Sequence, residues 1–221
     1  MNHKKYKCFL FDMNGTMVND MQYHIGSWHR ILNELGANIT MERMKEECYG
    51  KNNELLERMF PGRFSEEEKN VLSLEKEKKY QQDFKPNLKL IDGLYDFLKQ
   101  AHQENKKIAV GSAAIPFNID FVLDGLNIRP YVDVVVSADD VKKSKPDPET
   151  WILCMQKLNA DKNDCLVFED SPKGAESALN AGVDCIIITT LHRPEEFYHY
   201  NNVVAFINDF KNHDLRQLLI A

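Results

Sequence analysis

Four short stretches of this chain carry the residue types that phosphoryl chemistry needs. Asp12-Met13-Asn14-Gly15-Thr16 follows one apolar run and Ser112-Ala113-Ala114 follows another. Lys145 lies in Lys-Lys-Ser-Lys-Pro-Asp-Pro-Glu, and Glu169-Asp170 lie in Val-Phe-Glu-Asp-Ser-Pro-Lys-Gly. Asp12 and Asp170, with Glu169 beside it, offer hard oxygen ligands suited to Mg2+, an ion that keeps waters and substrate phosphate in its shell. Lys145 brings a compact positive charge that can neutralise phosphate or hold a nucleophile. Ser112 and the amides after it, where a helix opens near Pro116, can donate to phosphoryl oxygens. A carboxylate facing phosphorus can attack it and form an aspartyl-phosphate. The chemistry is then phosphoryl transfer by positioning and charge neutralisation. No nucleophile elbow, Walker loop, Gly-x-Gly-x-x-Gly or ordered Ser/His/Asp set competes with it.

Such a rim needs elements to carry it. Apolar runs of four to seven residues recur at Tyr6 to Phe11, Lys107 to Gly111, Val132 to Val136, Cys165 to Phe168 and Cys185 to Ile188, with a weaker one at Val203 to Ile207. Amphipathic stretches separate them, as at Asp92 to Gln103, where Leu94, Phe97, Leu98 and Ala101 share a face. Strands buried on both faces and separated by helices predict a parallel sheet with right-handed crossovers. In such a sheet ligands bind beyond the carboxyl ends of the strands, where the four stretches fall. Polar turn formers are common at any one strand end; four ends with these types together argue for a site.

Residues 17 to about 85 break the alternation. Met21, Ile25, Trp28, Ile31, Leu32 and Leu35 recur at helical spacing and Gly36 supplies a stop. Asn52 to Phe60 reads as another helix. Ser65 with Glu68 is a capping-box pattern opening a long charged helix to about Asp83. Its run of mixed charge is expected to be a solvated face. The expected fold is α/β, a core of residues 1–16 and 87–221 with an all-helical insertion over 17–86.

Composition narrows the partners. Among 221 residues, Lys+Arg 28 against Asp+Glu 34 gives a net charge of −6, which disfavours nucleic acid and anionic membrane surfaces. The longest apolar stretches are too short to span a bilayer, and Met1 to Lys7 lead into no region of signal-peptide length. Five cysteines, an odd number with no zinc-ligand spacing, suit small buried hydrophobes in a reducing compartment. A cytoplasmic protein acting on a small molecule is expected, monomeric by default.

The ordered set Asp12-x-Asn14-Gly15-Thr16, Ser112, Lys145-Pro146 and Glu169-Asp170 resembles the haloacid dehalogenase-like superfamily, over essentially the whole chain. The subgroup looks like the β-phosphoglucomutase-like phosphatases and phosphomutases. The resemblance implies a Rossmann-like parallel-sheet core with a C1 helical cap. It implies that Asp12 is the nucleophile and that Mg2+ is held by Asp12, the backbone carbonyl of Asn14 and Asp170, with Glu169 supporting. Ser112 and Lys145 would hold the phosphoryl group. Substrate contacts are implied at Thr16 and Ala113 and, on the cap, at His24, Trp28, Gly50, Lys51, Asn53 and Lys76. Trp28 also fits the core stripe of its helix, His24 its edge, and Lys76 a solvated face.

Two departures bear on function. Family phosphatases and mutases carry an aspartate two residues after the nucleophile, as general acid/base. Here it is Asn14, whose amide can orient a hydroxyl but cannot exchange its proton. That fits a slow or specialised enzyme, a phospho-ligand binder without turnover, or a substitution introduced to trap a complex. The cap arginine that grips a second phosphate aligns with Asn53, which shifts weight from a phosphomutase toward a phosphatase. A phosphonatase, with Lys51 as Schiff-base lysine, is a weaker match, because that family's lysine falls at Asn53. The leading expectation is a Mg2+-dependent phosphohydrolase of a small phosphorylated metabolite, plausibly a sugar phosphate.

Overall fold

A computed structural model describes residues 5–219; residues 1–4, part of the stretch read for a targeting signal, lie outside the described residues, as do 220 and 221. The chain divides into two compact units, one reaching to Asn19 and resuming at Lys89, the other Asp20–Leu88.

The first unit is built on a six-stranded sheet: β1 (Cys8–Phe11), β2 (Lys107–Gly111), β3 (Val134–Val136), β4 (Cys165–Glu169), β5 (Asp184–Ile188) and β6 (Val203–Ile207). The spatial order is β3-β2-β1-β4-β5-β6, and all five pairings are parallel. Each expected run thus forms a strand: β1 and β3 start two residues later than the runs, β4 extends one residue further to Glu169 and β5 starts one residue earlier at Asp184. The two-residue side-chain period of a strand then sorts the core. Phe9 and Phe11 of β1 and Phe168 of β4 meet Phe97 and Phe210 on one face, with Phe11 stacked on its register partner Phe168 at 4.6 Å. Cys8, Leu10, Val167 and Ile187 point the other way, into a cluster with Trp151, Cys154, Ala175 and Ala178. The five cysteines are free thiols.

The second unit is all-helical: α1 (Met21–Glu34), α2 (Met41–Glu47), α3 (Asn52–Met59) and α4 (Glu66–Phe84). The stop at Gly36 is real, since it adopts φ +92, a left-handed value open to glycine. The capping box at Ser65 forms in full, Ser65 Oγ accepting from the Glu68 amide and Glu68 Oε2 from the Ser65 amide. Helix α2, capped by Thr40, was not expected, because only Met44 of its seven residues is buried and its apolar pattern is weak. Ile25, Trp28, Ile31 and Leu32 of α1 pack with Met44, Leu55 and Leu56. The expectation that α4 is a solvated face needs correction. One side of it, carrying Lys69, Ser73, Lys76, Glu77, Tyr80 and Phe84, is buried. The period-3.6 apolar signal is missing there because the buried side is largely polar and pairs with groups on α1, before α1 and on α3. Among the described residues no helix is long and apolar enough to cross a membrane.

The remaining α-helices belong to the first unit: α5 (Leu94–Gln103), α6 (Pro116–Gly125), α7 (Glu149–Leu158), α8 (Pro172–Ala181) and the short α9 (Arg216–Leu219).

Candidate active site

Register brings the chemistry-bearing residues to one level. Phe11 pairs with Val110 and with Phe168, so Asp12, Gly111 and Glu169 leave adjacent strands together at their carboxyl ends. Asp12 continues the ladder by one bond, its amide donating to Phe168 O at 2.9 Å. Beyond it the chain turns sharply: the Gly15 amide bonds Val18 O at 2.8 Å, and the Thr190 hydroxyl donates to Gly15 O at 2.7 Å.

Lys145 enters from the loop before α7. Its Nζ donates to Asp12 Oδ1 at 2.6 Å, Glu169 Oε1 at 2.7 Å and Gly111 O at 3.1 Å. Burial disfavours its charged form, but Asp12 and Glu169 outweigh that and raise its pKa above the ordinary lysine value. Lys145 is therefore an ammonium, available for charge neutralisation and not as a base. Glu169 is held at its other oxygen, where Oε2 accepts from the Asp170 amide at 2.9 Å and from the Ser171 amide and hydroxyl at 3.1 Å each.

Asp12, Glu169 and Asp170 are buried, and one carboxylate oxygen from each lies within 4.8 Å of the others. Three carboxylates against one ammonium sum to a formal charge of −2, a balance that suits a divalent cation. The donors are all hard oxygens, as Mg2+ requires. Two glycines make room for them. A Cβ at Gly15 would sit 2.0 Å from Asp170 Oδ2, and at Gly174, on α8, 1.8 Å from Glu169 Cδ. The acidic cluster therefore fits a divalent metal. Gly174→Ala is expected to push Glu169 out of place and weaken divalent-metal affinity by tenfold or more. Isothermal titration with Mg2+ on the folded variant checks it, and unchanged affinity would show Glu169 to be dispensable.

Ser112 is buried, and its Oγ accepts from the Ala114 amide at 3.1 Å, which shapes the turn into α6. Ala113 and Asn14 are half-buried. Thr16 is buried with its hydroxyl 3.5 Å from Asp170 Oδ1.

Within the helical unit His24, Lys76 and Trp28 come together. Lys76, 1% exposed, lies 2.6 Å from His24 Nδ1, 3.0 Å from Glu77 Oε1 and 5.4 Å from the Trp28 ring centre. The solvated placement of Lys76 is thus corrected: charge pairing inside the unit makes its burial possible. An ammonium can only donate, so His24 Nδ1 accepts and Nε2 carries the proton, directed at Asp20 Oδ2, 3.4 Å away. Tyr80 stacks on His24 and donates to Asp20 Oδ2 at 2.5 Å. Burial and then the Asp20 charge raise the pKa of Tyr80. Burial alone would raise that of Glu77, but Lys76 leads the interactions that hold it low. Trp28 packs in the helical core.

Gly50 and Lys51 precede α3, with Lys51 as its N-cap. Asn53 turns away from the cluster, to Asn70 Oδ1 at 2.8 Å, while its neighbour Asn52 reaches Glu77 at 2.6 Å and Ser73 at 2.7 Å. Residue type and motif alone do not single out Asp20, Asn52, Glu77 and Tyr80 in the helical unit, or Gly174 and Thr190 in the other. The spacing of Asp20 to His24 and of Lys76 to Tyr80, four residues each, was the available signal for a shared helix face.

A family model described as haloacid dehalogenase-like hydrolase matches residues 9–188. The fructose-1-phosphate phosphatase YqaB of Escherichia coli is 26% identical over 189 residues, covering 86% of this chain and 100% of that protein. A phosphorylated carbohydrates phosphatase of Thermotoga maritima is 27% identical over 189 residues, covering 80% of this chain and 82% of its own. In structure, the β-phosphoglucomutase of Clostridium difficile superposes with a TM-score of 0.83 at 22% identity, over 97% of each chain.

Proposed function

We propose that this chain, which belongs to the haloacid dehalogenase-like hydrolase family, is a Mg2+-dependent phosphohydrolase of small phosphorylated metabolites with Asp12 as nucleophile. The observation that carries the reading is the buried cluster in which Asp12 shares Lys145 with Glu169 and lies beside Asp170. The phosphatases of E. coli and T. maritima named above support a sugar phosphate as the substrate class.

Asp12, Asp170 and the backbone carbonyl of Asn14 would hold the metal, with Glu169 supporting. When bound it supplies positive charge to the phosphoryl oxygens and to the attacking carboxylate. A carboxylate oxygen of Asp12 attacks phosphorus, a new O–P bond forms, and the ester P–O bond breaks. The leaving oxygen takes its proton from water, because the Asn14 amide has none to give at neutral pH. Asn14 instead orients that oxygen by hydrogen bonding. Water then attacks phosphorus, the Asp12 carboxylate is restored, and inorganic phosphate departs. Throughout, the Lys145 ammonium offsets negative charge in a site largely closed to solvent, where such an interaction is worth more than in water. Ser112 and the amides that open α6 donate to the phosphoryl oxygens.

Mg2+-dependent hydrolysis of an aryl phosphate tests this, since an aryl leaving group needs little protonation. Phosphate release that stops on chelation is expected. No release from folded protein at saturating Mg2+ would end the phosphohydrolase reading and favour a phospho-ligand binder.

A further inference from the structure

Lys145 has a fourth neighbour besides its three oxygen partners. The Trp151 ring, fully buried in the first turn of α7, has its centre 4.2 Å from Nζ. That is well inside the range in which an ammonium is attracted to an indole face, and the attraction grows when both partners are desolvated. The indole Nε1 is buried with no hydrogen-bond partner among the described residues. What Trp151 offers at this position is its π face and volume, not its polar handle.

The backbone is built to admit the ring. A Cβ at Gly111 would lie 2.9 Å from Trp151 Cζ3 and from Thr150 Cγ2, and 3.0 Å from Cys154 Sγ. The missing side chain lets Trp151 close against β2, and Gly111 gives its carbonyl to Lys145 on the same strand. Two of the four contacts to Nζ are thus carboxylates, one of them the nucleophile. The other two, the Gly111 carbonyl and the Trp151 face, carry no net charge and take no part in bond making.

We propose that Trp151 is a positioning residue for Lys145, a fixed seat that keeps the ammonium in place when Asp12 loses its carboxylate charge to the aspartyl-phosphate. The role rests on the phosphohydrolase reading above. Without the seat, only Glu169 and the Gly111 carbonyl would hold Lys145 on the protein side during the second half of the reaction. Dephosphorylation, and with it kcat, would suffer more than KM.

Two measurements test it. In the wild-type protein with lysines labelled at Cε, the Lys145 methylene protons should be shifted upfield by the indole ring current, with assignment by Lys145→Arg. This needs no turnover. On an aryl phosphate with Mg2+, Trp151→Leu should lower kcat on the order of tenfold, and Trp151→Phe, which keeps an aromatic face, should recover most of it. A wild-type Lys145 signal at the position of exposed lysines would overturn the seat while leaving the phosphohydrolase reading intact. So would equal kcat losses in Leu and Phe variants of matched melting temperature. A wild type that shows the shifted signal but hydrolyses no phosphate ester would overturn the functional reading, and the catalytic role with it.

Discussion

Asn14→Asp is expected to raise turnover of an alkyl phosphate by roughly 10² to 10⁴, the usual worth of a positioned general acid/base. The gain should be much smaller on an aryl phosphate. The reason is where the proton must go. An alkoxide is a poor leaving group and needs protonation as the P–O bond breaks, whereas a phenolate leaves without it. Asn14 is half-buried in the turn that follows the nucleophile, between Asp12 and Gly15, and its backbone bridges to that of Val18. The substitution changes one side-chain atom and leaves this backbone, and with it the carbonyl proposed as a metal ligand, unaltered. Metal affinity should therefore move little. Steady-state kinetics on matched alkyl and aryl esters checks the claim. Equal gains on both, or none on either, would show that position 14 does not handle the leaving-group proton.

Asp12→Asn should abolish turnover, by about 10⁴-fold or more, because an amide cannot supply the attacking oxygen. The fold should survive. Lys145 keeps Glu169 at 2.7 Å and Gly111 O at 3.1 Å as partners, and the Asp12 amide keeps its ladder bond to Phe168. Acid quench of the wild-type protein during turnover of a 32P-labelled ester should leave hydroxylamine-labile label on the protein, and the variant should carry none. A variant active within tenfold of wild type would remove Asp12 from the nucleophile's role. Comparison of the two substitutions separates covalent chemistry from proton transfer, since one acts on every ester and the other on poor leaving groups alone.

The helical unit teaches a different lesson from the sheet. The strands were legible because each is a short apolar run, buried along nearly its whole length in the four central strands, so that apolar composition and length sufficed. β6, the weakest run, still forms at the sheet edge. The burial of α4 was not legible, since Lys76 and Glu77 look like any solvated pair in a run of mixed charge. Their shared partner, His24, lies about fifty residues away on another helix. A buried ammonium is tolerable only where such partners converge, and convergence is a property of packing.

The carboxylates, the lysine and the serine that meet at the strand ends could be named from residue type and position, because a parallel sheet delivers its strand ends to one rim. Asn14, proposed to leave the leaving oxygen without a protein proton donor, was visible in the same way. Which groups touch was decided by the folded chain. Register set Asp12 level with Glu169, and the absence of side chains at Gly15 and Gly174 let Asp170 and Glu169 close in. The bare α-carbon at Gly111 brought Trp151 under Lys145. A glycine's space is defined by what fills it, and those neighbours come from distant parts of the chain; only tertiary packing could assign them.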